Sequence, residues 1–216
     1  RAMFQILNPM VAKAINNNDF NNLNDLYQRS SSNLLIICGF FFLLINLNIV
    51  SFYKLMNNEF YSDAILVVLI ISIAKLIQMS FGCGPAILAT SSFYKITLPF
   101  SISMAISVYF LNDYLIDLYG INGAAISTLI VLFLFTILKV LYINFKLKIH
   151  PYNLNTIKII SVICLVYFVF GLFQLGFDPL FNIILKSIFI SLVYISLVYF
   201  LKLSKTINNT IDSLIK

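Results

Sequence analysis

Six apolar runs, each close to the roughly 20 residues that a helix needs to cross a hydrocarbon core, follow one another along this chain. They fall at 33–53, 63–83, 96–113, 122–144, 156–176 and 180–201, and residues 1–13 read as the tail of a seventh. In lipid every backbone polar group must be satisfied within its own segment, so runs of this length predict helices. The expected fold is an all-α integral membrane protein with six full transmembrane helices plus the tail of a seventh. Composition agrees, because 61% of residues are hydrophobic and 10% are charged, whereas soluble domains carry about 25% charged residues. Such a chain could not cover itself in water.

The stretch KVLYINFKLKIHPYNLNTIK, from Lys139 to Lys158, sets the orientation. Lysine is costly at the bilayer centre, and loops left in the cytoplasm are enriched in Lys and Arg. Placing this loop inside puts Lys13, Arg29, Lys95, Lys139, Lys146, Lys148, Lys158, Lys202, Lys205 and Lys216 on the same side. Only Lys54 then falls in an outer loop, with the acids Glu59, Asp63, Asp113, Asp117 and Asp178. Ten basic residues against one decide the direction.

Four regions follow. Residues 1–13 are the end of a truncated transmembrane helix, and 14–32 form a cytoplasmic amphipathic linker. Residues 33–202 are the six-span bundle, and 203–216 a cytoplasmic tail. In the linker, Phe20, Leu23, Leu26 and Tyr27 recur at helical spacing, the stripe of a helix lying on the inner membrane face. Asn18 or Asp19 would cap it. Ile207, Ile211 and Leu214 repeat the pattern in the tail. A chain that opens at Arg1 on apolar sequence, with no signal peptide, reads as a C-terminal fragment.

Several function classes drop out. A net charge of +6 would suit nucleic acid only if it formed a stripe on a soluble face. Cys38, Cys83 and Cys164 lie in different apolar segments without CxxC spacing and are expected to be buried free thiols. His150 is the only histidine, which leaves no metal cluster or Ser/His/Asp arrangement. Asp113 and Asp117 read as a solvated outer turn, and FGCGPA at 81–86 lacks the Lys-Ser/Thr of a phosphate loop. No catalytic residue, metal or cofactor is expected.

Charges within spans are the candidate functional groups, because they need a cavity or a partner. Arg1 lies twelve residues before Lys13, about 18 Å along a helix, with Gln5 and Asn8 at i+4 and i+7 on the same face. Pro9 could kink that helix. An arginine beside two amides would suit a phosphate. Lys75, with Ser72 and Gln78 at i−3 and i+3, makes a second polar stripe. Lys186 is shallow enough to snorkel. Asn46 and Asn48 are expected to bond between helices. Gly120, Gly123, Ala124, Ala125 and Ser127 are expected to permit close helix packing.

The order ILNPMVAKAI, then the polar NDFNNLNDLYQRSS and a long span, with LYGINGAAIST opening a later span, resembles the C-terminal half of polysaccharide flippases. These are the Wzx-type exporters of O-antigen or lipopolysaccharide repeat units, in the MATE-like superfamily that includes multidrug and oligosaccharidyl-lipid exporters. The resemblance implies a two-bundle transporter in a bacterial inner membrane, with a cytoplasmic C-terminus. It would move an undecaprenyl-pyrophosphate-linked repeat unit between leaflets by alternating access. Its partners would be that lipid-linked oligosaccharide, membrane lipids and other polysaccharide assembly proteins. Arg1, Gln5, Asn8, Lys75 and Gln78 would line the cavity. A cation-coupled multidrug exporter of the same superfamily would want carboxylates deep in the spans, and none is present here. A membrane enzyme of polysaccharide assembly would want large outer loops. A structural subunit is the third rival.

Overall fold

A computed structural model describes residues 2–56, 64–172 and 178–215, leaving aside the side chains of 2–5 and 214–215. Among the described residues there are helices and no strands. In chain order they are α1 (Ala2–Asn16), α2 (Phe20–Leu55), α3 (Ala64–Ser80), α4 (Gly84–Thr90), α5 (Thr97–Tyr119), α6 (Ile121–Leu147), α7 (Leu154–Leu172), α8 (Pro179–Phe200) and α9 (Lys205–Ile215), with a 3-10 turn at Tyr94–Ile96. Five are long and apolar enough to cross a membrane, or six if α3 and α4, bent by 50°, are one broken span. Apolar side chains cover the outside, with Tyr109 70% and Phe168 69% exposed, as a lipid-facing surface requires.

The spacing of apolar runs located the spans, but their ends differ. The stretch 14–32 divides between the end of α1, a turn with Asn18 at φ +54°, and the first turns of α2. Asp19 caps α2, its Oδ1 accepting from the Asn22 N–H at 3.1 Å. Leu23 and Tyr27 are fully buried against α1, α4 and α6 rather than turned to a membrane surface. Phe20 is the exposed member of that stripe. α1 continues through Pro9. At 36 residues α2 is about 54 Å long, well beyond a hydrocarbon core of about 30 Å, so it extends past the membrane. The expected outer turn from 113 is helical as far as Tyr119, which places Asp113 and Asp117 on the last turns of α5. Glu59 and Asp63 lie outside the described residues.

α2 organises the bundle. It packs against α3 on one side and against α7 and α8 on another, while α6 joins α3 to α5. One core gathers Leu7, Val11, Leu23, Tyr27, Ile87 and Ile143 where α1, α4 and the start of α2 meet the end of α6. The second gathers Phe42, Leu43, Ile163, Val166, Tyr194 and Val198 between α2, α7 and α8. Contacts between α2 and the later loops fix one end: the His150 N–H donates to Asn24 Oδ1 at 3.0 Å, and Ser204 Oγ to Asn33 Oδ1 at 2.5 Å. Lys13, Arg29, Lys95, Lys146, Lys148, Lys158, Lys202 and Lys205 collect at that basic end.

Small residues act where α5 turns into α6. Gly120 has φ +58° and ψ −138°, a backbone essentially reserved to glycine. A Cβ on Gly123 would lie 1.9 Å from the Leu115 carbonyl oxygen, and Ser127, fully buried, donates to Asn112 Oδ1 across the pair. The expected close packing is present at Gly123 and Ser127, whereas Gly120, with nothing within 4 Å of an added Cβ, serves the turn.

Candidate functional site

Lys75 and Gln78, one helical turn apart on α3, are joined by a bond from Lys75 Nζ to Gln78 Oε1 of 3.0 Å. Lys75 is exposed, has no carboxylate partner among the described residues, and lies near the middle of the broken span α3–α4. Ile71 shares its face. Ser72, one turn earlier on the same side of the helix, donates its Oγ hydroxyl to the Val68 carbonyl at 2.6 Å. Asn8 is exposed on α1, which packs on α4 and α2, whereas α3 packs on α2 and α6. No hydrogen bond joins Asn8 to the lysine. Arg1 and the side chain of Gln5 lie outside the described residues. Of the three candidates whose side chains are described, the structure brings together Lys75 and Gln78.

The other expected groups sort by their bonds. Asn48 links helices, donating to Leu44 O at 2.8 Å and to Ser187 Oγ of α8 at 3.0 Å, while Asn46, among the described residues, bonds to Phe42 O on its own helix. Lys186 is half-buried on α8. Cys83 is buried as expected, but Cys38 is half-buried and Cys164 exposed, so the three thiols have three different environments. No cluster of three metal-ligating side chains occurs among the described residues.

Two features were not read from the sequence. The first is the break in the span at 81–83. Gly82 adopts φ +56°, and Gly84 and Pro85 then open α4. Backbone groups freed inside an apolar bundle need substitutes. Two α2 serines supply them. Ser31 Oγ donates to the Ser80 carbonyl at 2.7 Å, and Ser30 Oγ accepts the Cys83 N–H at 2.9 Å. Ser30→Ala and Ser31→Ala should each cost about 1–3 kcal/mol by stranding a buried backbone group. Thermal melting of the detergent-solubilised variants checks this. FGCGPA carried the signal for the break, since two glycines and a proline punctuate an otherwise apolar run.

The second feature is a groove of about 820 Å³ between α3, α6 and α7, floored by α2. At 100° per residue, its α3 members Leu69, Ile73, Leu76, Ile77 and Ser80 lie on the side of the helix opposite Lys75. The lysine pair and the groove are thus separate sites. Comparison of the chain with protein-family models, curated proteins and solved structures gives no match.

Proposed function

We propose that this chain is the C-terminal half of a polysaccharide flippase, moving a lipid-linked, pyrophosphate-bearing oligosaccharide between the leaflets of a bacterial inner membrane. The observation that carries the reading is the exposed Lys75–Gln78 pair, without a carboxylate among the described residues, midway along an apolar span. A cation facing lipid at that depth costs about 2.5–3.5 kcal/mol on insertion scales, so this face of α3 calls for a covering bundle or a water-filled cavity. A second bundle opposite α3 would provide both. An ammonium held by an amide then offers its remaining donors to an oxyanion. The broken span is of the kind that lines transporter cavities, and rocking of two bundles would alternate access. The basic end of the bundle is the cytoplasmic end, which puts the C-terminus inside.

The test is Lys75→Ala in the complete protein, scored by surface polysaccharide at matched membrane levels. Loss of one charged hydrogen-bond donor to the substrate, about 1.5–3 kcal/mol, should lower export about tenfold or more. Lys75→Arg should retain part of it. Unchanged export in Lys75→Ala removes the role.

A further inference from the structure

The turn from α8 into α9 encloses a cavity of about 380 Å³, within the size range of ligand pockets, about 300–1,000 Å³. Tyr199, Phe200, Lys202, Lys205, Asn209 and Asp212 line it. Its walls are tied together. The Asn208 amide donates to the Tyr199 carbonyl at 2.9 Å, and the Tyr199 hydroxyl donates to Asp212 Oδ1 at 2.7 Å, so two bonds hold α9 against α8. Ser204, buried in the turn itself, is anchored to Asn33 of α2, and Ile207 packs into the second core. The cavity is thus built into the end of the bundle.

Charge gives the occupant its sign. Lys202 and Lys205 both line the cavity and are exposed, and neither has a carboxylate partner among the described residues. Asp212, the acid in the lining, is engaged by the Tyr199 hydroxyl. Two ammonium groups against one carboxylate leave the lining with a net charge of +1. A phosphodiester, with one negative charge, balances it, and its oxygens accept from lysine ammonium groups in charge-assisted bonds.

Depth gives the occupant its body. α8 has 22 residues, about 33 Å of helix against a hydrocarbon core of about 30 Å, so its last residue emerges at the headgroup level. That residue is Phe200, part of the cavity lining. Val193 and Phe189 lie within about 20° of it around the helix, and all three are exposed. An apolar stripe therefore runs from the cavity into the leaflet. A free anion would use the lysines and leave the stripe untouched, whereas a lipid with an anionic headgroup uses both.

We infer that this cavity holds the headgroup of one anionic phospholipid of the leaflet at the basic end. Its phosphate is bound by Lys202 and Lys205, and its acyl chains lie along Phe200, Val193 and Phe189. The site shares no residue with the Lys75–Gln78 pair and does not depend on the flippase reading.

Native mass spectrometry of the full chain in mild detergent, delipidated and titrated with phosphatidylglycerol or phosphatidylcholine, tests it. One phosphatidylglycerol per chain should be retained, at least about fivefold over phosphatidylcholine. Lys202→Gln with Lys205→Gln, both surface changes, should abolish the preference. Lys148→Gln with Lys158→Gln, at the same end but outside the cavity lining, should leave it intact. Asp212→Asn keeps an acceptor for Tyr199 while adding a unit of positive charge to the lining, so it should raise phosphatidylglycerol retention about twofold or more. Equal retention of the two lipids by the unaltered chain overturns the proposal. So does an equal loss of preference in the two lysine pairs, which would reduce the effect to the general charge of the basic end. Displacement of phosphatidylglycerol by millimolar inorganic phosphate also overturns it, by making the free anion the ligand.

Discussion

Gly82→Ala should lower the melting temperature of the detergent-solubilised protein by at least about 5 °C, and Gly82→Val should abolish folding. Two costs combine. At φ +56° a side chain is strained whatever space surrounds it, by about 1–3 kcal/mol. Space is also lacking, because a Cβ would lie 2.7 Å from both Ser30 Oγ and the Ser31 backbone nitrogen. A backbone atom inside a helix cannot swing aside, so overpacking adds about another 1–3 kcal/mol. Each kcal/mol is worth about 2–4 °C in a chain of this size. The same contact would push α3–α4 away from the two serines that satisfy its break. Gly171→Ala is the control, since nothing lies within 4 Å of its added Cβ and its φ is ordinary. A melting temperature for Gly82→Ala equal to that control would refute the account.

The second large effect is expected at Gly39, where α7 and α8 close onto α2. A Cβ there would lie 2.4 Å from Ile163 Cδ1 and 2.9 Å from Tyr194 Oη. Tyr194 is buried and donates to the Ile36 carbonyl at 2.9 Å. Gly39→Ala meets mostly the movable tip of Ile163 and should be mild. Gly39→Leu cannot be absorbed that way. It should cost about 2–4 kcal/mol, from overpacking and from loss of the tyrosine bond. Ile163→Ala opens space at the clash, so the double variant should be more stable than the sum of the two single costs by about 0.5–3 kcal/mol. Strict additivity in melting experiments would show that the two residues do not compete for one volume.

These two glycines mark the limits of what was legible in the sequence. Apolar run length located the spans because lipid imposes it locally, residue by residue. The interruption of the run at 63–83 left a local signal, Gly82-Cys83-Gly84-Pro85, which run length alone passed over, and its repair left none. Ser30 and Ser31 lie 53 and 49 residues away from the groups they satisfy. Similarly, i, i+3 spacing was enough to pair Lys75 with Gln78. Nothing local distinguished Ser72 and Asn46, which turn back on their own helices, from Asn48, which reaches Ser187. The linker stripe at Leu23 and Tyr27 has the same periodicity whether it meets lipid or protein. Only the position of α1 and α4 decides that it meets protein. The groove was out of reach altogether, because four separated segments make it.

The length of α2 has a mechanical meaning. One rod of about 54 Å, uninterrupted by proline, contributes side chains to both cores, Leu23 and Tyr27 to one and Phe42 and Leu43 to the other. Tilting it by about 10° would carry one tip about 9 Å relative to the other. A displacement started at either end must therefore be felt at the opposite one, as a boat's rudder follows its tiller.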